Sequence, residues 1–189
     1  MNLAQWILSA TIQAFAEGSK LGCTSISWCT GRFEPPTLVA GGSQLIVYRY
    51  SDNPREWRPL LQLPGPDKGD VLDVSWAPNV GRRFHYIASA EGEQLRVYKL
   101  SREAKGDAAD PAAKTSGGGA TIGRHLSLAS SQTVATNAWR CEWNVTGTVL
   151  ASSGDGGVVH LWKPNFEGQF RCVSKVQGLA NPSGGLQDI

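Results

Sequence analysis

Three histidines, four cysteines and one glycine-flanked aspartate are the residues of this chain best suited to chemistry, and their spacing assembles no reaction centre. The histidines are His85, His125 and His160, far apart along the chain. No Ser, Cys or carboxylate stands at a spacing that would pair with one of them as nucleophile and base. The cysteines are Cys23, Cys29, Cys141 and Cys172. None form the CxxC pair of a zinc site, and no histidine lies near them at ligand spacing. Cys141 falls on the apolar side of an alternating run, where a thiol acts as a small hydrophobe. Reduced, structural thiols fit the cytosol or the nucleus. The run Gly117-Gly118-Gly119 is no phosphate loop, because no Gly-Lys-Ser/Thr follows it. Asp155 sits in Ser153-Gly154-Asp155-Gly156-Gly157. As a functional group it would be a metal ligand or a general base. As a structural one it makes a tight turn, with Asp-Gly supplying positive φ and the carboxylate bonding nearby backbone amides. The structural reading is preferred. No catalytic residue, cofactor or metal ligand is expected, and the chain does not read as an enzyme. The sequon-like Asn144-Val145-Thr146 falls in a turn and is read as chance.

Composition excludes further classes. Eighteen basic and sixteen acidic side chains are interspersed for a net charge of +2, so no basic stripe offers direct nucleic-acid binding. No apolar run approaches the roughly 20 residues that a bilayer crossing needs, so no membrane insertion is expected. Residues Met1–Ala16 lack the charged start and unbroken apolar stretch of a signal peptide.

What positions these residues is a repeat. Three copies of one pattern run over Thr24–Tyr50, Leu72–Leu100 and Trp139–Pro164. Each opens with an alternating stretch that closes on tryptophan, at Trp28, Trp76 and Trp143. Two positions earlier sit Ile26, Val74 and Cys141, and one position earlier Ser27, Ser75 and Glu142. That is the apolar-in, polar-out alternation of a strand with one buried face. An apolar run ending in small residues follows, and a third run closes on an aromatic at Tyr48, Tyr98 and Trp162. Fourth strands are expected at Trp57–Leu63, Arg124–Ala129 and Gln169–Val176. Self-similarity at about 40 to 50 residues with several short strands per period marks β-propeller blades. The tryptophans read as core residues, and His160, at a variable position, is placed on the outer face.

The fold expected is therefore all-β, a partial propeller of about three four-stranded blades and one leading strand. Residues 1–178 form it. Residues 1–20, in which Ala4–Phe15 alternates, read as the fourth strand of a missing blade. Blades follow at 21–64, 65–129 and 130–178. The second contains a loop at 101–123 whose Ala, Gly, Asp and Lys composition cannot offset its ordering entropy, and 179–189 reads as a flexible tail. An arc of this size leaves two raw faces, so the chain reads as a fragment of a six- or seven-bladed ring, or as one that something else completes.

Two stretches carry a family resemblance. DKGDVLDVSWAPNVGR at Asp67–Arg82 and WRCEWNVTGTVLASSGDGGVVHLWKPN at Trp139–Asn165 are similar to the C-terminal half of a Seh-type nucleoporin, a WD-repeat subunit of the nuclear pore's Y-shaped scaffold. The coat propeller Sec-thirteen is a relative with a similar Trp-Ala-Pro stretch. The resemblance implies a scaffold at the nuclear envelope that supports transport of protein and mRNA. It implies an open propeller completed by strands from an α-solenoid nucleoporin, with other Y-complex subunits as neighbours. By that resemblance the last blade, Trp139 to Val176, contacts the partner. A second assembly that signals amino-acid supply to growth control is implied as well, which adds the cytoplasm and the lysosomal or vacuolar surface as locations. Many WD repeats pair the turn Asp with a His. Alignment puts Thr133-Val134 at that place here, leaving Asp155 to backbone amides.

Overall fold

Alternating apolar residues and glycine-punctuated turns make antiparallel meanders of this chain. The computed structural model describes residues 7–15, 22–31, 34–66, 69–103 and 125–177. These residues hold three four-stranded antiparallel sheets. The first contains β1 (Cys23–Trp28), β2 (Thr37–Gly42), β3 (Leu45–Asp52) and β4 (Arg55–Leu63). The second contains β5 (Asp73–Trp76), β6 (Phe84–Ala90), β7 (Gly92–Glu103) and β8 (His125–Ala138). The third contains β9 (Arg140–Trp143), β10 (Leu150–Ser153), β11 (Val158–Pro164) and β12 (Phe170–Gln177). Strand order follows chain order in each, as in propeller blades.

The register shows why the pattern recurs. In each sheet the opening tryptophan, an aliphatic residue and the closing aromatic stand in one row across three strands. The rows are Trp28–Leu38–Tyr48, Trp76–Ile87–Tyr98 and Trp143–Leu150–Trp162. Period two then puts every second residue on the same face as its row.

Both faces of the middle blade are covered, and the cores lie between blades. Trp76, Ile87 and Tyr98 pack against Val39, Leu45 and Val47 of the first blade. Trp143, Leu150 and Trp162 pack against Ala88, Leu95 and Val97 of the second. Trp143 stacks on Tyr86 at 5.8 Å, and Phe170 stands edge-on to both rings. Each blade thus has a rear face, bearing the aromatic row, and a front face of smaller residues that receives the next rear face.

Hydrogen bonds sew the inner strands together at these seams. The Trp76 backbone N–H donates to Ser27 Oγ at 2.9 Å, and the Val74 N–H to Ser25 Oγ at 3.3 Å. One blade on, the Trp143 N–H donates to Ser75 Oγ at 3.4 Å, and the Cys141 N–H to Asp73 Oδ2 at 3.0 Å. The polar positions of the alternation therefore face the next blade, and Ser75 is buried. The two family-like stretches also meet at a seam. Asn79 holds the loop that aims Arg82, whose Nη1 donates to Gly147 O at 2.7 Å.

The strands and their cover depart from the sequence reading at several points. The outer strand of the second blade was expected at Arg124–Ala129, but β8 runs to Ala138, because the long β7 offers it a partner along its whole length. Residues 130–138 therefore belong to the second sheet and not to the third blade expected at 130–178. The opening segment forms no strand over residues 7–15, since no described strand lies alongside to pair with it. Instead Ile12, Ala14 and Phe15 pack on Leu38, Ala40 and Tyr48, and the Tyr48 hydroxyl donates to Ala14 O at 2.8 Å. Trp28 is 52% exposed, whereas Trp76 and Trp143 are buried. No preceding blade is present among the described residues to cover it; Trp57 stands edge-on to it at 5.7 Å. The loop expected at 101–123 is strand β7 as far as Glu103, and its remainder, like the tail expected at 179–189, lies outside the described residues.

Two substitutions test the packing. A Cβ at Gly41 would sit 2.8 Å from Cγ1 of both Val71 and Val74, so Gly41→Val is expected to destabilise by roughly 1–3 kcal/mol in urea unfolding. Trp143→Ala is expected to cost about 3–5 kcal/mol and the half-exposed Trp28→Ala clearly less. Equal losses would contradict the unequal burial.

Candidate partner-binding faces

Among the described residues, repetition of the seam leaves two faces without a neighbouring blade. One is the rear of the first blade, where Ile26 and Trp28 are 59% and 52% exposed. Its outer part is already covered by residues 12–15. The other is the front of the third blade, where Ala151, Ser153, Val159 and Leu161 are only partly buried. These stand in the places that Ala88, Ala90, Leu95 and Val97 take in the second blade, by the register with Trp143 and Trp76. A concavity of ≈ 270 Å³ lies there, lined by Asp73, Arg140, Glu142, Ala151, Ser153 and Val159 among others. Arg140 and Glu142 occupy the positions that supply seam acceptors in the earlier blades. The Arg140 guanidinium is 71% exposed and leans back on Asp73, Nη1 to Oδ1 at 3.8 Å. Partial burial, and then the Asp73 carboxylate, push the Glu142 carboxyl above its ordinary value.

A second hollow of ≈ 530 Å³ lies where the second and third blades meet, lined by Asp70, Glu91, Glu93, Asn137, Trp139 and Asp155 among others. Its most buried carboxylate works inward. Glu91 Oε1 accepts from Ser89 Oγ at 2.7 Å and lies 3.2 Å from the Tyr98 hydroxyl oxygen, and Oε2 pairs with Arg96 Nε at 3.5 Å. Tyr98 and Arg96 in turn hold the interblade linker, donating to Pro64 O and Gly65 O at 2.6 and 2.8 Å. Burial pushes the Tyr98 phenol up to about 12.

Asp155 is at an exposed turn, as its sequence suggested, with Gly156 and Gly157 at φ 84° and 65°. Its partner differs from the expectation. The carboxylate accepts from the side-chain amide of Asn137 at 3.0 Å, and Asn137 Oδ1 accepts from the Asp155 N–H at 3.2 Å. Asn137, not Thr133-Val134, takes the place of the usual histidine, because β8 extends further than expected. In the third blade Trp162 Nε1 donates to Ser152 Oγ at 2.9 Å. Tyr48, Tyr98 and Trp162 are buried, as core positions should be.

The structure places His85 in the second blade and His160 in the third. His85 is fully buried, and the structure brings Cys29 Sγ to 4.0 Å of its Nδ1 and Glu34 Oε1 to 3.9 Å of its Nε2. Sequence spacing showed neither neighbour. This is no nucleophile–base pair, since Nδ1 already accepts from Trp76 Nε1 at 3.3 Å and so cannot take the thiol's proton. His160 does not face outward; it is part-buried and stacks on Trp162 at 5.8 Å, because residues two apart share a face. The His125 side chain lies outside what is described. All four cysteines are free, and burial pushes the Cys141 thiol well up. Among the described residues no group of three or more His, Cys, Asp or Glu is placed to hold a metal ion, and no helix is long and apolar enough to cross a membrane.

No family model matches the chain. In fold it is similar to Sqt1 of Saccharomyces cerevisiae, with a TM-score of 0.51 over 82% of this chain and 35% of that one, at 15% identity. In sequence it is 33% identical over 197 residues to nucleoporin SEH1-B of Xenopus laevis, covering 97% of this chain and 50% of that one. Nucleoporin SEH1 of Homo sapiens is 33% identical over 198 residues, covering 98% and 50%. That of Danio rerio is 32% identical over 198 residues. The class of protein is thus a partial WD-repeat β-propeller, all-β with its sheets arranged as blades. The particular family is that of the Seh-type nucleoporins, of which this chain is a homologue. It spans about half the length of the curated relatives it matches.

The Tyr98 shift gives a pH dependence with a definite sign. The unfolded phenol ionises near 10, whereas the folded one holds its proton to about 12. This contribution is therefore intact below pH 10 and lost as pH rises from 10 to 12, by roughly 2–3 kcal/mol. Tyr48 and Tyr86 shift the same way. Urea midpoints measured across that window are expected to fall, less steeply for Tyr98→Phe. An unchanged slope in that variant would remove Tyr98 from the account.

Proposed function

We propose that this chain is a scaffold and adaptor subunit of the nuclear pore complex, holding other pore subunits through the open faces of its blades and performing no catalysis. The observation that carries the reading is the open front of the third blade in a homologue of nucleoporin SEH1. An unpaired blade face with accessible strands can take a strand or blade from another chain, where main-chain hydrogen bonds give affinity and side-chain hollows give choice. The partner proposed is an α-solenoid nucleoporin of the Y-shaped complex, seated on the last blade between Trp139 and Val176. Location at the nuclear envelope and support of protein and mRNA transport follow from that role. An amino-acid-sensing growth-control assembly is a second set of partners under the same reading, reached at the lysosomal or vacuolar surface or in the cytoplasm.

Co-expression of the chain with the α-solenoid nucleoporin of its own organism tests this. A stable complex is expected in size exclusion, and a fluorescent fusion is expected to give a rim at the nuclear envelope. Failure to bind it, together with binding to the α-solenoid of a vesicle coat, would replace this reading with the Sec-thirteen-like one.

A further inference from the structure

Two turns, a linker and a blade junction meet at one end of the second and third blades. Gly92 pairs with Ala138 where β7 and β8 adjoin, which sets the Glu91-Gly92-Glu93 turn beside Trp139. The Leu72 N–H donates to Ala90 O at 2.8 Å and brings the linker that carries Asp70 to the same end. Asn137, one residue before Ala138, ties down the Asp155 turn. The hollow of ≈ 530 Å³ lies among these segments.

The repeat does not require this set of side chains. At the seam of the first and second blades the matching turn reads Gly42-Ser43-Gln44 and carries no acid. Leu72, partly buried, takes there the place that Trp139 takes here, each four residues before its tryptophan. Trp139 is instead 52% exposed, a large ring left in the lining of an acidic hollow. Asp70, Glu93 and Asp155 form no ion pair among the described residues. Glu91 is an independent sign of a missing donor. Its side chain is only 1% exposed, yet no hydrogen bond reaches Oε2 among the described residues. Arg96 Nε, 3.5 Å away, donates to Gln94 Oε1 instead. A buried carboxylate oxygen with an unused lone pair in the wall of a hollow is a place for a donor that enters from outside.

We propose that this hollow binds an arginine side chain carried by an exposed basic segment of another protein. The guanidinium lies against the Trp139 ring, and its N–H groups reach the carboxylates of the lining. A planar cation with five donors suits that combination, because it stacks on an aromatic face and bonds carboxylates at the same time. A metal ion does not suit it, since no three of these acids are placed to hold one. The inference goes beyond the scaffold reading. The hollow sits at the end of a seam whose two blades are both present, and neither open blade face lines it.

The test titrates the full chain with a capped Gly-Ser-Arg-Ser-Gly peptide and follows the tryptophan indole N–H signals by NMR. Trp139→Phe identifies the Trp139 signal. That signal is expected to move saturably with the arginine peptide, and the neutral citrulline counterpart is expected to bind at least about tenfold more weakly. Glu93→Lys is expected to weaken the arginine peptide by about tenfold. Glu167→Lys, at an exposed turn outside the lining, is expected to bind it as the wild type does. Both side chains are exposed, so both variants are expected to keep the wild-type melting midpoint. A Trp139 signal that the arginine peptide leaves in place overturns the proposal. Equal binding of the citrulline peptide overturns it too, and so does an equal loss in Glu167→Lys, which would make the attraction one of overall charge. None of these results bears on the scaffold reading, which stands or falls on complex formation with the α-solenoid nucleoporin.

Discussion

A blade of this protein has two faces, and neither is stable against water. The rear bears an aromatic row and the front a bed of small and branched residues, and each is finished only by the other. Burial between blades, more than within any sheet, supplies the apolar driving force. The seam also solves a backbone problem. The inner-strand N–H groups of Val74, Trp76, Cys141 and Trp143 find their partners in the previous blade's side chains. Without those acceptors, the buried N–H of Trp76 or Trp143 would be left unsatisfied.

From that constraint the open faces acquire meaning. The rear of the first blade is partly clothed by its own leading segment, which supplies side chains and a carbonyl but no ladder. The front of the third blade has no such cover among the described residues. It differs from the other two fronts in charge: where Ser25 and Ser27, or Asp73 and Ser75, offer only hydroxyls and one acid, Arg140 and Glu142 offer both signs. Charge at a seam favours one partner over others more than it raises affinity.

The blades were legible because their determinants are local. Period-two alternation, glycine turns and the tryptophan spacing each sit within a few residues, so the twelve strands follow from the pattern. What was not legible depends on neighbours. Trp28 carries the same local signal as Trp76, but among the described residues no preceding blade covers it. The length of β8 was set by the length of β7, and that moved the Asp155 partner from Thr133-Val134 to Asn137. Residues 7–15 alternate as a strand does, but alternation without a ladder partner gives extended chain and not sheet. The Cys29–His85–Glu34 cluster joins residues from two blades, which no spacing rule reaches. The seam ladders are legible in the sequence, since Ser25, Asp73 and Arg140 align once the tryptophans are superimposed.

Native-state hydrogen exchange read amide by amide bears most directly on the claim that side chains of one blade satisfy the inner strand of the next. The amides of Val74, Trp76, Cys141 and Trp143 should exchange slowly, while the corresponding amides of Ile26 and Trp28, which meet no blade among the described residues, should exchange fast. Equal rates across the three inner strands would mean that the seams are not what holds these blades together.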